Sequence, residues 1–317
     1  MEAMGKNDPA GAFAAATEGH GKGDKSSTYL LGQMHELGQG APAIDLKKAF
    51  SLYGEAAAAG VPEALTAVAR CLESGIGTEK NPAKAMFHWQ MAAEAGDPPA
   101  MGRMGQAELE GQLRPANVAA ALPWLEKAGG AKDPLGLWLL SKCYDNGLAG
   151  LAPSVDKAVD LCSRAAMGGQ VEAMHRMGEF YATARGLPGD PVAAMGWFRL
   201  AGDYGHAPAF TKLALCYLEG TGCRQNEPLA LNFALKAAQL KHPRGYYLVG
   251  RIYDEGLGVP ADPIKGLAYH LRASNGGIRE AAIAVGRLKG TLRAEDVQKA
   301  EVLASHADEP NGRPNQK

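Results

Sequence analysis

One unit of about 36 residues repeats along the chain, and it constrains the fold more than any other feature. Its clearest copy runs from Pro243 to Gly277 and holds a helical stretch, a Gly-rich turn, a second helical stretch and a closing glycine. A small anchor residue marks the same place in each copy, at Ser27, Ala64, Ala100, Gly136, Ala173, Ala209, Gly245 and Ala281. A unit of this kind stacks on its neighbours because it cannot bury its apolar face alone. The sequence therefore predicts an all-α fold, an α/α superhelical solenoid of about seven to eight stacked helix-turn-helix repeats.

Positions inside the repeat recur at helical spacing, which indicates one buried face on each helix. The fourth residue after each anchor is apolar, and the fifth is small in every copy, as at Gly32, Gly178 and Gly250. We expect the small residue to let another helix approach closely. Each second helix begins at a short polar residue, at Asp45, Asn81, Asn117, Ser154, Asp190, Asn226, Asp262 and Asp296. Such residues are preferred N-caps because their side-chain oxygen accepts a hydrogen bond from a free backbone N–H.

These motifs together resemble the Sel1-like repeat family, which is related to the tetratricopeptide repeats. The resemblance rests on the pattern A-x-x-x-L-G-x-x-Y-x-x-G-x-G, followed by D-x-x-K-A and W-Y-x-x-A-A-x-x-G. Good matches stand at Ile44–Ala49, Asn81–Ala85 and Trp197–Ala201. The resemblance implies the solenoid fold and an adaptor or scaffold role. Since its motifs are packing motifs, it implies no catalytic residue.

The ends of the chain depart from the pattern and suggest three parts. Residues 1–25 are expected to be an N-terminal tail or a degenerate capping half-repeat, with a short helix at Pro9–Glu18. Residues 26–307 are expected to form the repeat solenoid, with a shortened last unit. Residues 308–317 are polar with two prolines, and we expect a disordered C-terminal tail there.

Charge and cysteine usage narrow the function classes. The formal net charge is -1, so no global field attracts nucleic acid. No apolar run approaches the roughly 18 residues of a membrane helix, and we expect no membrane insertion. Of the five cysteines, Cys71, Cys143, Cys162 and Cys216 share columns with apolar residues, and Cys223 lies in a turn. The chain lacks the regular cysteine pairs of the secreted branch of the family, and no signal sequence is visible at its start. We therefore expect a cytoplasmic protein.

Catalytic and metal-binding motifs are not recognisable in the sequence. The eight histidines are scattered, without H-E-x-x-H spacing or a C-x-x-C pair. The segment Gly19–Ser27 faintly resembles a phosphate-binding loop, but Asp24 stands where that loop needs a glycine. The sequence therefore favours a non-enzymatic protein without a metal or cofactor.

A partner-binding surface is expected on the concave face. In the related tetratricopeptide solenoids the first helices line that face, which by analogy turns the positions two, six and nine residues after each anchor towards it. These columns vary between repeats, as expected where residues meet a partner. Aromatic residues and arginines dominate interface hot spots. The predicted partner-binding residues are Tyr29, Arg70, Trp138, Lys142, His175, Tyr247, Arg251 and Arg287, which together suit an extended or helical acidic peptide.

Other interpretations of the same residues remain open. Trp138 and Tyr247 are also compatible with packing against neighbouring first helices, and Arg251 with pairing to Asp254 three residues later. A different function is a secreted or periplasmic solenoid that binds a cell-wall glycan or related small ligand, which a Cys143–Cys162 bridge would support. An enzyme with an active site built across repeats would need convergent polar groups on the inner face.

Overall fold

The computed structural model describes residues 8–111 and 116–306. Every regular element within these residues is an α-helix, as the sequence predicts. The chain divides after Gly168 into two compact units, called here the N-terminal unit and the C-terminal unit. Each unit is described by itself.

The described helices follow the repeat without interruption by other elements. In the N-terminal unit they are α1 (Pro9–Gly21), α2 (Lys25–Leu37), α3 (Leu46–Ala58), α4 (Pro62–Ser74), α5 (Pro82–Glu94), α6 (Pro98–Glu110), α7 (Val118–Gly130), α8 (Pro134–Asn146) and α9 (Val155–Met167). In the C-terminal unit they are α10 (Val171–Thr183), α11 (Pro191–Asp203), α12 (Ala207–Glu219), α13 (Glu227–Gln239), α14 (Pro243–Glu255), α15 (Pro263–Asn275), α16 (Arg279–Thr291) and α17 (Ala294–His306).

Helix pairs stack in sequence order within each unit. The even-numbered helices from α2 to α16 are the first helices of the repeats, and the odd-numbered helices from α3 to α15 are the second helices. A first helix packs on the second helix of its own repeat, which packs in turn on the next first helix, as in α12–α13–α14. First helices of neighbouring repeats also contact each other directly, at α6–α8 and α12–α14. This confirms the predicted solenoid of stacked helix pairs.

The small residue five positions after each anchor has the predicted role. A Cβ atom on Gly178 would lie 2.5 Å from a ring carbon of Phe198, and one on Gly250 would lie 2.8 Å from the ring of His270. Phe198 and His270 belong to the second helices α11 and α15, and both are buried. A glycine on the first helix therefore makes room for a large side chain of the second helix.

The anchor residues are buried as well, except Ser27, which is half-buried. Those that are alanines have no exposed surface, namely Ala64, Ala100, Ala173, Ala209 and Ala281. A Cβ atom on the anchor Gly245 would lie 2.7 Å from the Cβ of Ala237 on the preceding second helix. The anchor Gly245 thus lies directly against the preceding repeat of the C-terminal unit.

The predicted N-caps are confirmed at every second helix from α3 to α15. Each cap side chain accepts a hydrogen bond from a backbone N–H of the first turn, as Asp262 does from Lys265 at 3.0 Å. The prediction for Asp296 is wrong, because α17 already begins at Ala294. Asp296 lies inside the first turn, where its carboxylate accepts hydrogen bonds from the side chains of Arg293 and Lys299.

The turn that precedes α17 explains why this helix begins before Asp296. Helix α14 is followed by the C-cap Gly256, whose φ of 70° is the left-handed conformation that glycine adopts easily. Helix α16 is instead followed by Leu292, which is extended, with φ -81° and ψ 154°. Only Leu292 and Arg293 separate the two helices. Helix α17 consequently packs on α15, where Ala300 joins a cluster with Leu267 and Leu288.

At the other end, α1 packs on the first repeat. Its Ala16 is buried in a cluster with Leu31, Met34 and Leu52. The helix expected at Pro9–Glu18 is thus present and extends to Gly21. Residues 1–7 and the predicted disordered tail at 308–317 lie outside the described residues.

All five cysteines carry free thiols, so Cys143 and Cys162 form no bridge in this structure. Cys71, Cys143 and Cys162 are buried, while Cys216 and Cys223 are half-buried. Burial raises the pKa of the Cys71 and Cys216 thiols to about 11. Among the described residues no helix is both long and apolar enough to cross a membrane.

Candidate functional site

In each of the two units the predicted binding residues lie on a surface that we call the first-helix face of that unit, made by the positions two, six and nine residues after each anchor. The residues at the first of these positions are half-buried at Tyr29, Trp138, His175 and Tyr247. Three of them pack on a second helix of their own repeat, with ring centroids 5.7 Å apart for Tyr29–Tyr53, 5.5 Å for His175–Phe198 and 5.6 Å for Tyr247–His270. Each of these three rings is therefore held in place by its own repeat and stays partly exposed.

Trp138 lies at the edge of an apolar cluster of the N-terminal unit that includes Leu139, Leu140 and Cys143. The ammonium group of Lys142, one turn further along α8, lies 5.9 Å from the centroid of the indole ring. This distance suits a cation–π interaction. Trp138 and Lys142 together present a flat apolar surface beside a positive charge.

Arg70 has a carboxylate partner. Its guanidinium donates two hydrogen bonds, of 2.7 and 2.6 Å, to the two carboxylate oxygens of Glu36. The Tyr53 hydroxyl donates a third hydrogen bond, of 2.7 Å, to the same carboxylate. The hydrogen bonds from Arg70 hold the pKa of Glu36 below its usual value. Because Glu36 is on α2 and Arg70 on α4, the group joins two neighbouring repeats.

Arg251 and Arg287 are paired as well. Arg287 forms an ion pair with Asp254 of α14, and the Nε of Arg251 lies 3.2 Å from a carboxylate oxygen of Glu255. The alternative in which Arg251 pairs with Asp254 is not found, because Asp254 meets the cation of the next first helix and Arg251 meets Glu255. Of the four predicted cations, Lys142 alone has no carboxylate partner among residues 8–111 and 116–306.

Acidic and basic side chains recur as pairs between consecutive first helices. The pairs are Glu36–Arg70, Glu73–Arg103, Glu179–Lys212 and Asp254–Arg287. Arg103 and Lys212 stand three residues after their anchors, in a column that the sequence analysis did not assign to this face. Arg176 stands in the same column, so the recurrence of basic residues there was the available signal. The pairs leave the first-helix face much less positive than the predicted residues alone suggest.

An open cleft of about 420 Å³ lies on this face in the C-terminal unit, between α10 and α12. Phe180, Phe198 and Leu215 form its apolar lining. At its rim the carboxylate of Glu179 receives hydrogen bonds or ion pairs from Arg176 at 2.8 Å and Lys212 at 3.1 Å. The cleft combines an apolar floor with fixed charges, as pockets for peptide side chains do.

His175 lies beside this cleft, and its ring centroid is 4.9 Å from that of His206. Burial lowers the pKa of His175 to about 4, and burial also lowers the pKa of His206. Both imidazoles are therefore neutral at pH 7. Within the described part of the chain, no three His, Cys, Asp or Glu side chains lie together as metal ligands would.

The repeats match a known family. The family model for the Sel1 repeat matches seven consecutive segments, at residues 25–61, 62–97, 98–132, 134–170, 171–206, 208–242 and 243–278. The matched segments together cover well over half of the chain and coincide with the helix pairs described above.

Two curated relatives are regulators of chitin synthase. The chain is 31% identical over 263 residues to chitin synthase regulatory factor 3 of Schizosaccharomyces pombe, which covers 80% of this chain and 28% of that protein. It is 28% identical over 248 residues to the chitin synthase regulator SKT5 of Saccharomyces cerevisiae, which covers 75% of this chain and 36% of that protein. The chain thus spans about a third of the length of these relatives.

A similar fold is found in the crystal structure of a protective antigen present in uropathogenic Escherichia coli strains. The TM-score is 0.77 at 24% sequence identity, and the match covers 92% of this chain and 62% of that chain. At this level of identity the similarity shows the fold alone.

Proposed function

Since the chain belongs to the Sel1 repeat family, we propose that it is a non-enzymatic scaffold that binds a partner protein or peptide along its first-helix face. The observation that carries the proposal is the cleft between α10 and α12, which has an apolar floor and a charged rim on that face. The half-exposed aromatic rings of the same column support it, because partly buried aromatic residues are common binding anchors.

The named relatives fit a role of this kind. Both curated relatives are called regulators of an enzyme, chitin synthase, and contact with another protein is one way in which such a regulator can act. The similarity covers 80% and 75% of this chain, most of which consists of repeats. We therefore propose that the repeats supply the contact surface, without assigning chitin synthase as the partner.

The side chains of the first-helix face divide into two groups in this proposal. Trp138, Tyr247 and His175 are proposed as contact residues because each exposes part of a ring that the protein already holds in place. Arg70 and Arg287 hold neighbouring repeats together through their carboxylate partners, and so they fix the surface on which a partner rests. A rigid surface binds with a smaller loss of conformational entropy.

The chemistry of the partner follows from the same contacts. Lys142 has no carboxylate partner among the described residues, and it lies beside the half-buried Trp138. A partner segment with an apolar side chain over Trp138 and an acidic residue next to it satisfies both groups. Elsewhere on the face the cations are already paired, so we propose one acidic position rather than a wholly acidic peptide.

Capture from native lysate with matched variants tests this proposal. The test variant is W138A/Y247A, and the control is W124A/Y269A, which removes a half-buried Trp and a half-buried Tyr from second helices. Trp124 also has a lysine near its ring, with the Lys127 ammonium 5.3 Å from the centroid, so the control is close in chemistry.

We expect the wild type and the control to capture the same protein, identified by mass spectrometry, and the test variant to lose it while keeping its helicity. Equal capture by the test variant and the wild type would contradict the proposed face. Loss in both variants would show that capture depends on general stability.

A further inference from the structure

A second cleft, of about 580 Å³, lies in the N-terminal unit between α7, α8 and α9. Its floor is apolar, with Leu137 and Leu140 from α8 and the half-buried Leu161 from α9. These leucines do not belong to the columns of the first-helix face. The cleft is therefore separate from the surface on which the proposed function rests.

Comparison with a later repeat shows what this place in the repeat accommodates. In the C-terminal unit, Phe210, Tyr217 and Phe233 occupy the positions that Leu137, Tyr144 and Leu161 occupy here. There the rings stack, with centroids 5.6 Å apart for Tyr217–Phe233 and 6.1 Å apart for Phe210–Phe233.

The next repeat has the same arrangement. Tyr269 lies between Tyr253 and Tyr246, at centroid distances of 6.2 and 6.4 Å. Twice, therefore, this place in the repeat holds an aromatic ring stacked on the tyrosine of the first helix. In the N-terminal unit the leucines are smaller than these rings, and an open cleft lies beside Tyr144.

The rim of the cleft is charged. The Lys157 ammonium lies 4.9 Å from the centroid of the Tyr144 ring, and Arg164 lies 3.5 Å from Asp160. Within the described residues, the carboxylates of Glu126 and Asp156 have no cation partner. Asp160 and Arg164 form a pair without net charge. The remaining charges, from Glu126, Asp156 and Lys157, leave the rim with an excess of one negative charge. A cationic group next to the cleft would meet complementary charge.

We propose that this cleft binds an aromatic side chain of a partner peptide in which a Lys or Arg adjoins the aromatic residue. The ring stacks on Tyr144 above the three leucines, in the place that a ring of the protein itself fills in the two later repeats. The cation meets Glu126 and Asp156. Stacked aromatic pairs contribute beyond the burial of their area, which favours a ring over an aliphatic side chain.

Short peptides are the probes for the test. The first is acetyl-Gly-Lys-Trp-Lys-Gly-amide, and the two comparison peptides replace its Trp by Leu or its two Lys by Glu. Binding is followed on the full chain by NMR of labelled leucine methyl groups, which places the peptide at Leu137, Leu140 and Leu161. We expect the Lys-Trp-Lys peptide to shift these methyl signals, and each comparison peptide to bind at least about tenfold more weakly.

Two variants examine the ring and the charge separately. Leu161→Phe should fill the cleft from inside, as Phe233 does in its repeat, and weaken binding at least about tenfold without loss of helicity. E126Q/D156N removes two exposed carboxylates from the rim and should weaken binding of the Lys-Trp-Lys peptide several-fold.

Three results would overturn the proposal. They are no shift of the leucine methyl signals, equal affinity for the Trp and Leu peptides, and unchanged binding by a folded Leu161→Phe variant. Equal binding of the Glu-flanked peptide would overturn the assigned charge preference. None of these results would affect the first-helix face, whose test residues lie outside this cleft.

Discussion

Two glycines at the same position of different repeats should respond in opposite ways to the same substitution. A Cβ atom on Gly178 would lie 2.5 Å from one carbon of the Phe198 ring and 2.6 Å from another. Phe198 is 2% exposed, so its ring is packed against neighbouring groups over most of its surface. A Cβ atom on Gly286 would meet nothing within 4 Å. Helix α17 packs on α15, which leaves this side of α16 uncovered.

The magnitudes follow from two opposing effects. Alanine in a helix interior is more stable than glycine by about 0.5–1 kcal/mol, because glycine loses more backbone entropy on folding. Carbon atoms in contact are normally about 3.5–4.0 Å apart, so the Phe198 ring must move by about 1 Å in Gly178→Ala. Overpacking of this kind costs about 1–3 kcal/mol. We expect a net loss of about 1–2 kcal/mol for Gly178→Ala and a gain of up to about 1 kcal/mol for Gly286→Ala.

Urea unfolding followed by circular dichroism measures both variants under one set of conditions. Hydrogen exchange of the α10 amides locates the effect, since repeat proteins can open region by region. Gly178→Ala should unfold at lower urea and exchange faster in α10, while Gly286→Ala should unfold at equal or higher urea. Stabilisation by both substitutions would refute the packing account of the small column, because it would mean that no second-helix side chain fills the space beside Gly178.

Three further predictions concern single interactions. Asp262→Ala should lower stability by about 1 kcal/mol in urea unfolding, because it removes the cap of α15, and a variant as stable as the wild type would contradict that role. Arg70→Met should lower the free energy of unfolding by about 1–2 kcal/mol, since it leaves the mostly buried Glu36 carboxylate with the Tyr53 hydroxyl as its one partner. Arg251→Met should lower it by less than about 0.5 kcal/mol, because the pair of Arg251 with Glu255 is exposed. Stability should fall as the pH drops from 7 to 5: the unfolded chain protonates His175 near pH 6.5, but the folded chain does so only near pH 4. In urea unfolding, His175→Gln should reduce the loss of unfolding free energy between pH 7 and pH 5 by about 1–2 kcal/mol. A variant with the same pH dependence as the wild type would contradict this role of His175.

Packing within the repeat could be predicted well from the sequence, because the same residue types make the same contacts in successive repeats. The N-cap column and the glycines at Gly178 and Gly250 each recur at a fixed position, and each has the contact that its column implies. The prediction of an N-cap at Asp296 was wrong because it relied on the same recurrence. The periodic pattern predicts a cap in the last repeat too, but the turn of that repeat differs. Its first helix is followed by the extended Leu292 and not by a left-handed glycine.

The sequence pattern could not predict which side chains pair between neighbouring repeats. Arg70 and Arg287 were identified as surface cations, but their carboxylate partners depend on how neighbouring helices are offset. Periodicity specifies that a residue faces outward and does not specify which side chain of the next repeat it meets. The cleft between α10 and α12 was missed for a similar reason, since its walls come from two repeats and its rim includes the third residue after the anchor.

Site-specific photo-crosslinking would test the scaffold account most directly. A photoreactive amino acid is placed at exposed or half-exposed positions of the first-helix face, beside Trp138 and at Leu215, and, as a control, at the exposed Phe87 on the second helix α5. After irradiation in native lysate, we predict one dominant protein crosslinked from the first-helix positions and absent from the control position. Crosslinks of equal yield and identity from all three positions would contradict a binding surface on the first-helix face.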